Sequence, residues 1–226
     1  MSTSGTATFN MDLSEIIEEA GERCGYEIRS GYDLKTARRS LNILTAEWAN
    51  KGINLWTIDQ GSIPLITGTA TYDLPADTID LLDQVVRTGT GTTQVDINLS
   101  RISSTTFATI PTKNTTGRPV QIWINRQAQI PQINVWPKPN NDSYTFVYWR
   151  LRRIQDAGNA SNTQDIPFRF LPALIAGLAY QLSMKLPGVD PNRSVMLKAV
   201  YDEAFDIAAQ EDREKASLLV VPRMLR

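Results

Sequence analysis

The sequence predicts an α+β protein: an antiparallel helical bundle built from N- and C-terminal helices, with an inserted antiparallel β domain and an extended C-terminal tail. Three observations predict it. Apolar residues recur at helical spacing in two segments near the start of the chain and two near its end. Between them lie short runs of β-branched and aromatic residues, separated by Gly- and Pro-marked turns. The change of period is abrupt and falls within one stretch, AEWANKGINLWTIDQG, Ala46 to Gly61.

Residues 1–10 are small and polar and carry no pattern, so a flexible N-terminus is expected. Leu13, Ile16, Ile17, Ala20 and Cys24 then follow the rhythm of an amphipathic helix. Asp12 and Glu15 have capping-box spacing, and Gly25 is a natural stop. A second helix is expected from an N-cap at Asp33, with Leu34, Ala37, Leu41, Leu44 and Trp48 as its apolar stripe. Lys51 in the last turn, Gly52 as a left-handed stop and Ile53 folding back on Trp48 would form a Schellman end.

From Leu55 the pattern is β. Strands are expected at 55–58, 62–67, 70–74, 81–87, 94–99, 120–125, 130–136 and 144–151, with a short helix or turn in SSTTFATIP. The connections look too short for parallel crossovers, so the pairing should be mostly antiparallel. The loop DAGNASNTQD, 156–165, reads as a linker. Residues 171–184 are apolar almost all round and should form a buried helix. Asp190-Pro191 marks the start of the last helix, whose apolar face reads as Met196, Val200, Ala204, Ile207 and Ala208. The resulting plan is a flexible N-terminus (1–10), a helical bundle domain (11–54 and 166–215), an inserted β domain (55–165) and an extended arm (216–226).

Composition narrows the chemistry. The chain has 226 residues and net charge −1, unlike a protein that wraps nucleic acid. It contains one cysteine and no histidine. Internal disulfides, thiolate or imidazole metal sites and Ser-His-Asp or Cys-His catalysis are therefore excluded. No cofactor or metal is expected. The polar start lacks the features of a signal peptide, and no run is long enough to span a bilayer; synthesis in a reducing cytoplasm is expected. Charge is uneven. Residues 1–30 carry net −4 and residues 87–153 net +7, a pattern suited to head-to-tail contact between copies or to an acidic partner.

Candidate sites compete with plainer readings. Cys24 lies on an apolar helix face and reads as a small buried hydrophobe. Glu15, Glu18, Glu19 and Glu22 could include a catalytic pair, a face repelling DNA, or simply a solvated helix face. Arg150, Arg152 and Arg153, beside Tyr148 and Trp149, could stack on nucleic acid, contact a neighbouring subunit or line the wet face of a strand. The five tryptophans, 48, 56, 123, 136 and 149, suit a sugar groove or, more ordinarily, core and interface anchors. TGTGTT lacks the Gly-Lys-Ser/Thr and the following helix of a phosphate loop. The tail SLLVVPRMLR is apolar and basic, and its Leu218, Leu219, Val220 and Val221 need cover on this chain's own sheet or on another chain.

LNILTAEWANKGINLWTI, GTATYDLPADTIDLLD, GRPVQIWI, PQINVWPKP and the final VVPRMLR together resemble the head-to-tail adaptors of short-tailed bacteriophages, the tail accessory or tail tubular A type. The resemblance runs from about residue 12 to the C-terminus. It implies a structural virion protein of the phage neck, made in the host cytoplasm. It further implies a dodecameric ring between the portal and the tail nozzle, around a channel that DNA crosses without specific binding. Val220, Val221, Pro222, Arg223, Met224, Leu225 and Arg226 would bind the portal, and Arg150, Arg152 and Arg153 would contact neighbouring subunits or the nozzle. An arm that orders only on contact would make assembly sequential. The competing readings are a carboxylate-based peptidoglycan hydrolase of the phage tail and a carbohydrate-binding module.

Overall fold

In the computed structural model, which describes residues 3–52 and 55–212, all the described α-helices but the one that starts at Leu171 begin where a side chain satisfies an open N–H group. Helix α1 (Leu13–Cys24) opens on the expected capping box: Asp12 accepts from the Glu15 N–H, and the Glu15 carboxylate accepts from the Asp12 N–H. It ends at Gly25 in the left-handed conformation. Helix α2 (Gly31–Asn50) starts earlier than expected. Its N-cap is Ser30, and Asp33 is the third helical residue, whose carboxylate accepts from the Ser30 N–H while the Ser30 hydroxyl accepts from Asp33. Both residues can cap, but only a start at Ser30 satisfies two donors at once. At the far end Gly52 has φ 78° and donates to Ala49 O at 3.3 Å, one of the two Schellman bonds. Ile53 lies outside the described residues.

Leu55–Thr57 forms a 3-10 turn in place of the expected first strand. The strands that follow are β1 (Ile58–Pro64), β2 (Thr71–Asp73), β3 (Thr78–Thr88), β4 (Val95–Asn98) and β5 (Ser100–Arg101). A short helix α3 (Ser104–Thr109) leads to β6 (Thr116–Gly117), β7 (Gln121–Asn125), β8 (Gln132–Trp136), β9 (Lys138–Pro139) and β10 (Thr145–Arg152). Helices α4 (Leu171–Ser183) and α5 (Pro191–Glu211) complete the described chain. The expected C-terminal tail lies outside the described residues.

The chain divides into two units, 57–153 and the remainder. In the helical unit α4 is buried on nearly every side, as its composition requires, and α1, α2 and α5 pack against it. Trp48 is fully buried; its indole N–H donates to the Tyr201 hydroxyl at 2.9 Å, and its ring meets Phe170 and Phe205. Trp48 therefore anchors the core. The loop 156–165 is tied to these helices. Asn162 and Ala160 carbonyls accept from Leu13 and Ser14, and Ala157 exchanges hydrogen bonds with Asn42 and Arg38. The bonds from Leu13 and Ser14 fill donor sites in the first turn of α1 that its own cap leaves open.

Helix α5 corrects the reading of its apolar face. Asp190 and Pro191 start it and Ala208 is buried as expected, but the other buried residues are Leu197, Tyr201 and Phe205. Met196, Val200 and Ile207 are exposed and Ala204 is half-buried. Two stripes of similar hydrophobicity lie side by side on this helix. The one carrying the aromatic rings buries more area and takes the core.

The β unit has two four-stranded sheets, ordered β1-β10-β3-β4 and β2-β8-β7-β5. Their inner faces share one core, including Leu81, Val86, Phe146 and Tyr148 from the first and Ile122, Ile133 and Val135 from the second. Pairing is antiparallel with two exceptions: β5 runs parallel to β7, and β6 parallel to β9. The pairing is mostly antiparallel, as the sequence predicts, but not every connection is too short for a parallel crossover: the chain between β5 and β7 includes α3 and is long enough for one.

Candidate functional site

Arg150 and Arg152 sit on β10, the strand that β1 and β3 flank. The Arg150 guanidinium reaches Asp59 of β1 at 3.3 Å, Asp77 in the turn before β3, and the Thr78 hydroxyl at 3.0 Å. Arg152 also reaches Asp59, at 3.1 Å. Both side chains are only 13% exposed, so they hold three parts of the sheet together. Arg153 is exposed, and its backbone N–H donates to Asp77 O. Asp80 plays a similar part, accepting from Arg101 and Arg126. The excess of +7 over 87–153 is thus offset by acids from the preceding strands, and the β unit has nine basic and seven acidic side chains. The charge was legible in the sequence; the partners became visible only with the register of β1 and β3 on β10.

The acidic residues of α1 divide by role. Glu15 caps the helix, and Glu19 pairs with Arg23 one turn on. Glu18 and Glu22 line a cleft of about 600 Å³ with Gly25, Tyr26, Glu27 and Ile28. A neighbouring cleft of about 500 Å³ has Leu13, Ile17, Ile28 and Leu34 with Arg29, Lys35 and Arg38 in its lining. A hydrolase acid needs a carboxyl group held protonated, with its pKa raised. Five carboxyl groups are displaced in the opposite direction. Asp12, Glu27, Asp77, Asp96 and Asp142 are all lowered, chiefly by hydrogen bonds donated to the carboxylate. No group of three or more potential ligands is placed to hold a metal ion among the described residues.

Cys24 is buried, its thiol donates to Ala179 O, and burial pushes its pKa up to about 11. That makes it a packing residue of low nucleophilicity. The tryptophans are dispersed. Trp56 packs on Phe170 and donates to Asp165 O; Trp123 stacks on Phe107; Trp136 donates to Thr112 O. Val220 to Arg226 lie outside the described residues.

What remains prominent is exposed apolar surface on the helices: Met196, Val200 and Ile207 outward on α5, and Tyr32, Leu34 and Ile43 on α2. The model of one family, the SU10 adaptor protein, matches residues 11–223. The chain belongs to the SU10 adaptor protein family. The adaptor is a structural component of a phage particle, at the junction of head and tail. No curated protein matches it. Among solved structures it is similar to a chain from the neck of an empty GTA particle, computed with C6 symmetry. That similarity has 10% identity and a TM-score of 0.29, over 95% of this chain and 97% of that one.

Proposed function

We propose that the adaptor is a non-enzymatic ring protein of a short-tailed phage, twelve copies closing the gap between portal and tail nozzle around the DNA channel. Family membership over residues 11–223 carries this reading. The geometry supports it: large apolar side chains outward on two helices of the helical unit call for a partner. In this reading residues 216–226 form the arm that docks on the portal, through Val220 to Arg226. Arg153 contacts a neighbouring subunit or the nozzle, from a strand end that Arg150 and Arg152 hold in place. DNA passes without specific contacts.

The test is light scattering of the purified adaptor with and without its portal. The expected result is a monomer or small oligomer alone and a ring on the portal. Deleting 218–226 is expected to abolish docking and leave the circular dichroism spectrum unchanged. A chain that never binds the portal would end the proposal, and docking that survives the deletion would remove the arm from it.

A further inference from the structure

We infer that copies of the adaptor join through a heterologous contact in which the outward face of α5 on one copy packs against the outward face of α2 on the next. The inference rests on the ring reading above and supplies its surface.

On α5, Met196, Val200, Glu203 and Ile207 follow i, i+4, i+7, i+11 spacing and so share one face. The three apolar members are 69%, 48% and 59% exposed. On α2, Tyr32, Lys35, Arg39 and Ile43 follow i, i+3, i+7, i+11 and also share a face, with Tyr32 74% and Ile43 52% exposed. Each run covers the same length of helix, about 17 Å at 1.5 Å per residue. Each mixes apolar side chains with charge, and the charges are opposite. Lys35 and Arg39 are exposed and make no ion pair among the described residues; Glu203, and Asp206 beside it, likewise.

Two identical α5 faces would set acid against acid, and two α2 faces base against base. A two-fold contact of either face with itself is therefore disfavoured, and α5 against α2 is favoured. Such a contact uses different patches on the two copies, so it propagates and closes into a ring when the rotation permits. Burying the apolar members gives the contact its strength, and the charges set its partner and direction.

The test uses two full-length variants. One is Lys35→Glu/Arg39→Glu, acidic on both faces; the other is Glu203→Lys/Asp206→Lys, basic on both. All four positions are exposed, where substitution leaves the fold intact, and circular dichroism melts check this. Each is incubated with the portal, alone and as an equimolar mixture, and the bound mass is read by light scattering. The expected result is loss of ring assembly for each variant alone and its recovery in the mixture, where every α2 face again meets an α5 face of opposite charge. Variants that each assemble as wild type does would overturn the inference and leave the ring reading standing. A mixture that stays unassembled would overturn it as well. Wild type that forms no ring on the portal would overturn both. A further measurement asks whether residues 213–226 of the same copy are the occupant: peroxide should oxidise Met196 readily in the lone chain, and protection relieved by deleting 213–226 would overturn the inference.

Discussion

Single residues in this molecule matter most where a charge is half out of water. Asp77 lies beside Arg150, whose hydrogen bond holds the Asp77 carboxyl below its ordinary value of 3.8. A carboxyl group whose folded pKa is depressed adds stability above the ordinary value and loses it as the pH falls through the folded one. Asp77 is 46% exposed at its side chain, so solvent screens the pair and the contribution is about 1 kcal/mol or less. Asp77→Asn is therefore expected to lower stability slightly at pH 7, and the gap from wild type should be narrower at pH 3, below the ordinary value. Urea melts at both pH values check this. A gap that is unchanged in acid would mean that Asp77 acts through packing rather than charge. Cys24 shows how readily some residues are read from sequence. A lone cysteine on an apolar stripe with no histidine in the chain already reads as a packing group, and the structure buries it. Arg150 was not legible in that way, because alternation along β10 gives a residue's face but not the strand that will lie beside it.

At the scale of elements, the packing of α4 is decided at Gly177. A methyl group there would meet the Tyr201 ring at 2.8 Å and Leu44 Cδ2 at 2.9 Å. In an exposed helix, Gly→Ala stabilises by about 1 kcal/mol. Here it overpacks the contact of α4 with α2 and α5, and a cost of about 1–3 kcal/mol is expected. A lower urea midpoint with an unchanged slope checks this; a raised midpoint would show that Tyr201 and Leu44 swing aside freely. Local signals made most elements legible. The boundaries of α1, the cap of α5 and the all-round burial of α4 follow from residue types at fixed spacing. Where two local signals competed, periodicity could not choose. Ser30 and Asp33 both cap, and α5 carries two apolar stripes in adjacent positions. Strand β5, which pairs in parallel with β7, escaped for another reason: two residues are too few to show a period. The surface proposed for assembly came from the same ambiguity, since Met196, Val200 and Ile207 read as core and the fold leaves them outside.

At the scale of the whole molecule, the cores of the two units have no residue in common. One gathers α1, α2, α4 and α5, and the other the inner faces of two sheets. Each unit has the size of an ordinary domain and its own buried cluster. Cooperativity follows shared packing, so each core should melt as its own two-state transition. Leu81 and Leu174 are both fully buried, one in each cluster. Truncating such a leucine to alanine costs about 2–5 kcal/mol. In a unit of about 100 residues that lowers the melting temperature by roughly 8 °C or more. Calorimetry is therefore expected to resolve two transitions, with Leu81→Ala moving only the one of the β unit and Leu174→Ala only that of the helices. A single transition displaced by both substitutions would show that the units stand or fall together. Two transitions would mean that the β unit can tolerate damage while the helices, which carry the proposed ring contact, still assemble on the portal.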